Sequence, residues 1–408
     1  MASTSQINRI KASLVGVGLG LAFLMSFNWW NIYAHHVPKC STDNCVADFV
    51  TFYAAAQLIW DDRQSLYDLE RQQLYQNRIA PVEKVLPFVY PPITAAFLAP
   101  LAWFRFSTAF LIMTVVNLLL IGQSLRLLIR GLNLSIDQSH WLLLFTLCNF
   151  AVHGVIFYGQ TSAIVLFFLT LHVLAQRQAE RAGAGVWAAL LCIKPQYLAI
   201  PHLIMLVRRR WREFLVGAAV ATLLIIGLFL WIGLEASAQY VQLARRMVTA
   251  DSDWWNQWRG MHNLRVLVIY GLPPAWHAVT WWILSAIVVG ILMWINWPEA
   301  KHSHDHATRW IVNCLGLLIV LPHLFTHDLT LLIIPCALLL SLIKPQVTPA
   351  IGVGLVTVAI LPAINYLIPT VMAVALVTLF TASLFLARNR IVLSQKGNCA
   401  ISPWDKAI

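Results

Sequence analysis

The residue best placed to move a proton is Asp48, in the stretch Ala47-Asp48-Phe49-Val50-Thr51-Phe52-Tyr53-Ala54-Ala55-Ala56. Apolar residues at helical spacing follow it, so the stretch is expected to form a short interfacial helix with the acid in its first turn. A carboxylate held there can act as a general base toward a hydroxyl; the plainer alternative is a helix N-cap. Lys194, in Ile193-Lys194-Pro195-Gln196, is a cation between apolar residues and needs an anionic partner or a route to the interface. A bound phosphate would supply the first. His323 and His327 are four apart and so expected on one helix face, which invites a metal pair, with only Asp328 nearby as a third ligand. With so few ligands a metal is not expected, and hydrogen bonding to substrate or phosphate is the better reading. Tyr90, Gln160, Gln196, Asn263 and Arg265 complete a polar set that reads as substrate- or phosphate-binding. Tyr90-Pro91-Pro92 could equally be a rigid turn, and Gly159-Gln160 a loop.

Such residues need a scaffold, and composition says which kind. The chain has 408 residues, 59% hydrophobic and 11% charged, with a mean hydropathy of +0.71. That describes a polytopic helical membrane protein, because the apolar runs approach the length of a bilayer-spanning helix and lack the alternation of barrel strands. The +11 net charge is densest at Arg208-Arg209-Arg210-Trp211-Arg212, which reads as a cytoplasmic loop rather than a nucleic-acid surface. Cys40 and Cys45 could bridge in an oxidising compartment or stay as thiols. Of the other cysteines, all but Cys399 lie in apolar runs where packing explains them.

Taken in order, the chain is expected to be an all-α integral membrane protein of about twelve spans, both termini inside, forming a single polytopic domain over residues 1–408. Span one covers Ala12 to Ala34. A first outer loop over 35–106 holds Asp48 and juxtamembrane helices, and its last part, Ile93 to Trp103, is too short to cross. Spans follow at Thr108 to Ile129, His140 to Phe157 and Thr161 to Ala175. The run from Gly183 divides at Lys194-Pro195, where proline breaks the helix. Phe214 to Leu234 leads to a second outer loop over 235–274, rich in tryptophan and carrying His262. Ala275 to Trp297, Trp310 to Phe325, Leu329 to Ile343 and two further spans lead to a cytoplasmic tail at 391–408. This topology gathers the polar set on the outer face, and no internal repeat is visible.

Asp48-Phe49, Tyr53-Ala54-Ala55-Ala56, Ser65-Leu66-Tyr67-Asp68, Phe88-Val89-Tyr90-Pro91-Pro92, Ala99-Pro100-Leu101, Gly159-Gln160, Lys194-Pro195-Gln196 and Pro322-His323 to His327-Asp328-Leu329 occur together and in order. In this the chain resembles the GT-C glycosyltransferases of family 87, which include polyprenol-phosphate-mannose-dependent mannosyltransferases. Trp60-Asp61-Asp62-Arg63-Gln64 departs from the glycine-containing loop usual there. The resemblance implies a GT-C-type bundle in the inner membrane. It also implies transfer of a sugar, mannose by default, from a polyprenyl-phosphate carrier to a glycolipid or glycan acceptor on the outer face. Asp48 is then the catalytic base, and neither a cofactor nor a metal is expected. Residue chemistry agrees: a sugar phosphate already has a leaving group, so the site needs a base and cations such as Lys194, Arg265 or a histidine. Direct displacement inverts the anomeric centre. A transporter or lipid flippase is the alternative, against which stand the missing inverted repeat and the one-sided polar set.

Overall fold

The computed structural model describes residues 47–79, 85–177, 181–249, 261–298, 305–343, 348–364 and 370–396, and all of its regular elements are helical. The expected first span, Cys40 and Cys45, Asp251 to Arg259, His302, His304, Lys344 and the last twelve residues lie outside the described residues.

Helix α1 (Ala47–Asp61) and α2 (Leu69–Asn77) fold against one another in the first loop. Asp68 starts α2 by accepting from the amides of Glu70 and Arg71 at 2.9 and 3.1 Å, an N-cap that satisfies donors the helix itself leaves orphaned. Pro92 opens α3 (Pro92–Leu98), where a missing N–H costs nothing, and a 3-10 turn over Ala99–Trp103 ends it. The expected non-crossing segment is therefore a short broken helix.

Among the described residues three helices are long and apolar enough to cross a membrane: α4 (Phe106–Gly131), α10 (Trp211–Ile232) and the stretch Pro274–Asn296 containing α13 (His277–Asn296). The pair α5 (Ile136–Cys148) and α6 (Phe150–Phe157) makes a fourth if taken together. The expected His140 to Phe157 span is thus not one straight helix but bends by 51° at Asn149. The cause is local: Asn149 leaves helical geometry, and its side chain accepts from the amide of Ala151 at 3.0 Å, capping a new helix in mid-run. Other apolar helices are 10–17 residues long, among them α7 (Ser162–Arg177), Pro195–Val207, which contains α9 (Ala199–Val207), α14 (His306–Val320) and Thr326–Leu342, which contains α15 (Ile333–Leu342). A multi-pass membrane protein is what these elements make: about twelve spans are expected, and among the described residues three or four are helices of full crossing length beside several shorter apolar ones.

Burial separates core helices from peripheral ones. Helix α7 is buried almost throughout, from Ser162 to Gln176. Helix α10 instead exposes Leu215, Leu223, Ile226 and Leu230, a bare apolar face that suits lipid and would be costly in water. A large apolar core joins α5, α7, α14 and α15, while a smaller one formed by Phe49, Phe52, Leu66, Phe88 and Phe110 anchors the first loop onto α4. The run divided at Lys194 behaves as expected: α8 (Arg181–Ala189) gives way to 3-10 turns over Leu190–Ile193 and Pro195–Tyr197 before α9.

Candidate active site

Asp48 lies in the first turn of α1, half-buried, and its Oδ2 accepts from Gln160 Nε2 at 2.7 Å. Gln160 is held from two other sides. Tyr90 donates its hydroxyl to Gln160 Oε1 at 3.3 Å, and Asn117 on α4 donates to the Gln160 carbonyl at 3.0 Å. The preceding Gly159 makes this arrangement possible, because its φ of +61° falls in the left-handed region and an added Cβ would stand 2.8 Å from the Phe49 ring. Tyr90 is fixed in turn by Tyr67, which donates to the Tyr90 carbonyl at 2.7 Å, and by Phe52, with ring centroids 5.0 Å apart. Among the described residues Gln160 is the one side-chain partner of Asp48, so a carboxylate oxygen is left to accept from a substrate. Burial pushes the Asp48 carboxyl above the usual carboxylate range. The Gln160 hydrogen bond and the charge of Lys194 oppose that shift, and Asp328 adds to it.

Lys194 already meets an anion within the fold. It is 1% exposed, and its Nζ donates to Asp328 Oδ1 at 2.8 Å and to Ser162 Oγ at 2.9 Å. Ser162 also donates to Asp328 Oδ1, at 2.7 Å. Its anionic partner within the fold is thus a protein carboxylate 134 residues along the chain. Position follows from the breaks on either side. Thr94 on α3 donates to the Ile193 carbonyl at 2.7 Å, pinning the turn before Lys194, and Asp328 sits in a 3-10 segment over Thr326–Leu332. The ammonium lies 5.6 Å from the Tyr90 ring centroid, so the Lys194–Asp328 pair and the Asp48–Gln160 pair border one another through Tyr90.

The remaining candidates form a second row or stand apart. His327 Nε2 is 3.6 Å from Asp328 Oδ2, and the ring stacks on Phe325. His323 is buried but does not share a helix face with His327, because α14 ends at Val320 and the next helical turn starts only at Thr326. That break removes the geometry on which a histidine pair would depend, and no group of metal-ligating side chains occurs among the described residues. Asn263 is occupied structurally: it caps α12 (Leu264–Gly271) and donates to the Leu321 carbonyl at 2.6 Å. Arg265 lies over the Trp281 ring at 5.3 Å. Half-buried Gln196 makes no hydrogen bond to the cluster among the described residues.

Some members of the cluster carried little sequence signal. Ser162 looks like an ordinary helix start, and Tyr197, fully buried three residues after Lys194, puts its hydroxyl beside the Asp328 carboxylate. Asn117 was the more findable, as a lone amide in an apolar span. His262 Nε2 shares a hydrogen bond with Thr326 at 2.8 Å, tying the second loop to the segment carrying Asp328.

The arrangement offers a half-buried carboxylate with a raised proton affinity beside a buried ion pair, in the membrane-associated first loop. Against known proteins, the chain is 24% identical over 209 residues to an alpha-(1->3)-arabinofuranosyltransferase of Corynebacterium glutamicum. That match covers 50% of this chain and 48% of the relative, so the chain spans about half the relative's length. No solved structure matches. A family model for glycosyltransferase family 87 matches residues 88–322, which hold Tyr90, Gln160, Lys194, Gln196, Asn263 and Arg265 and stop short of Asp48, His323, His327 and Asp328. With more than half of its length so matched, the chain belongs to glycosyltransferase family 87.

Proposed function

We propose that the protein moves a sugar from a polyprenyl-phosphate carrier to a hydroxyl acceptor at the outer face of the inner membrane, with Asp48 as general base. The observation that carries this reading is the Asp48–Gln160 hydrogen bond, which orients one carboxylate oxygen and leaves lone pairs for an acceptor hydroxyl. The raised proton affinity of Asp48 suits the task, since a base works best when its pKa approaches the working pH. As the acceptor oxygen bonds to the anomeric carbon, the bond to the carrier phosphate breaks, the proton passes to Asp48 and the carrier leaves as the phosphate. One displacement inverts the anomeric centre.

Lys194 has two of its three N–H donors engaged and the third unassigned. In this reading the third donor and the Tyr197 hydroxyl face the departing phosphate, and Asp328 keeps the ammonium fixed before substrate arrives. Gln160 and Tyr90 orient the base. Arg265, His323 and His327 are assigned to contact with the carrier or the acceptor glycan and Asn263 to holding the start of α12 in place; Gln196 remains an assignment from its motif. The relative's name specifies arabinofuranosyl transfer, so the donor class proposed is a pentose or hexose polyprenyl phosphate, with mannose one member. The reading requires neither a metal nor a cofactor.

The test is Asp48→Asn, assayed with lipid-linked sugar donors. The amide keeps the shape and the Gln160 contact, but has no basic oxygen at neutral pH. Transfer is expected to fall about 100-fold to 10,000-fold while carrier binding persists. A variant keeping more than about a tenth of wild-type turnover would remove Asp48 as the base.

A further inference from the structure

A second charged cluster lies at the far end of α7. Ser162 at the start of that helix belongs to the Lys194 site and Arg177 ends it, about 22 Å away at 1.5 Å per residue. Around Arg177 gather Arg208 and Arg210, which follow α9; Glu213, in the first turn of α10; and His306 and Arg309, in the first turn of α14. The charges of Arg208, Arg210 and Arg309 act on one another, and those of Arg177, Arg208 and Arg309 act on His306.

Acidic compensation is thin. Glu213, 1% exposed, pairs with Arg210 at 2.7 Å and accepts from Gln176 at 3.4 Å. Asp305 is exposed, its carboxylate accepts from the Thr308 amide at 2.7 Å and hydroxyl at 3.1 Å, and its charge acts on Arg309 as that of Glu213 acts on Arg208. Arg177 donates to the Gly131 carbonyl, and His306 Nε2 lies 3.1 Å from the Val173 carbonyl. Arg208 and Arg309 remain: both are half-buried, neither makes a side-chain hydrogen bond or ion pair among the described residues, and Arg309 Nε is buried without a partner. A guanidinium withdrawn from water in this way is costly unless an anion meets it.

We infer that Arg208 and Arg309, with Arg177 and Arg210 beside them, form a binding site for the phosphate headgroup of a membrane lipid at the end of the bundle opposite Asp48. Planar guanidinium forks match phosphate oxygens in pairs, and the exposed apolar residues Leu206 on α9 and Trp211 and Leu215 on α10 would lie along the lipid chains. The site stands independently of the role given to Asp48.

Native mass spectrometry of the full chain, with phosphatidylglycerol, a polyprenyl monophosphate, diacylglycerol or inorganic phosphate added in turn, tests this. Wild type should retain a phosphate-bearing lipid and not diacylglycerol, and whichever of the diester and the monoester binds tighter identifies the headgroup. Arg208→Gln with Arg309→Gln should weaken retention by about tenfold to 100-fold, taking a hydrogen bond to a charged group at its usual worth. Arg212→Gln, at an exposed neighbour, should change nothing. If the double variant fails to fold, Arg208→Lys with Arg309→Lys keeps the charge, loses the forks and should still weaken retention. Equal retention by variant and wild type, retention of diacylglycerol, or binding of inorganic phosphate alone would each overturn the inference.

Discussion

The two ends of α7 solve the same problem in opposite ways. At Ser162 a buried cation meets a buried carboxylate in a closed arrangement of Lys194, Asp328 and Ser162, with distances of 2.7 to 2.9 Å. At Arg177 several arginines share one buried carboxylate, Glu213. The first end is electrically complete before any ligand arrives, which suits a site that must present a fixed field to a reacting bond. The second is left with excess positive charge, which suits holding an anion. Charge placement thus separates chemistry from anchoring along one helix.

Breaking the complete end should have the largest effect. Lys194→Met leaves Asp328 buried without its counter-ion and should cost about 3–5 kcal/mol of stability, the usual loss when one partner of a buried pair is removed. Asp328→Asn should cost a similar amount, and combining Lys194→Met with Asp328→Leu should recover much of the loss while transfer stays low. Thermal unfolding in detergent measures all three; a fully stable Lys194→Met would show that the pair is not closed as described. Arg210→Gln at the other end should cost less, roughly 1.5–3 kcal/mol, because Arg208 stands close enough to serve Glu213 in its place. Equal losses at the two ends would erase the contrast.

Smaller changes sharpen the complete end. Gly159→Ala forces a left-handed residue against Phe49 and should cost about 1–3 kcal/mol, with transfer falling further as Gln160 leaves Asp48. Gln160→Leu removes a hydrogen bond that lowers the Asp48 pKa, so the carboxylate should become harder to ionise. A base must be deprotonated to act. Wild-type transfer should therefore fade with acidification at a pH above the ordinary carboxylate range, and the Gln160→Leu limb should lie higher still. A limb that moves down, or does not move, would detach Gln160 from the base.

How much of this could be read from the sequence depended on whether the cause was local. The division at Lys194-Pro195 was legible because proline cannot continue a helix, and the limits of α4 and α10 because long apolar runs have few alternatives. The bend at Asn149 was not, since an asparagine in an apolar run can either ride along in a helix or cap a new one, and the choice is made by packing. Spacing also misled at His323 and His327, where four residues put two side chains on one face only if the helix continues, and here it stops at Val320. Lys194 clearly demanded an anion, but nothing local could say that the anion is Asp328, brought in by the tertiary fold.

The smallest expected effect calibrates the others. Arg71 and Asp62 pair at 3.0 Å on the first loop, with side chains 42% and 32% exposed, so water already screens both charges. Asp62→Asn should therefore cost only about 0.2–1 kcal/mol, against several for Lys194→Met at a comparable separation. The Asp62 carboxyl is held below its ordinary 3.8, first by hydrogen bonding from Ser65 and then by Arg71. A depressed folded pKa gives stability that is present above the unfolded value and lost as pH falls through the folded one, so the Asp62→Asn difference should shrink as pH falls below 3.8 and vanish once the carboxylate is protonated in the folded state. Unfolding of both variants at neutral pH, and of Asp62→Asn again in acid, measures the difference. If the exposed pair cost as much to break as the buried one, burial would not be what sets the energetics of this molecule, and the distinction between the two ends of α7 would lose its physical basis.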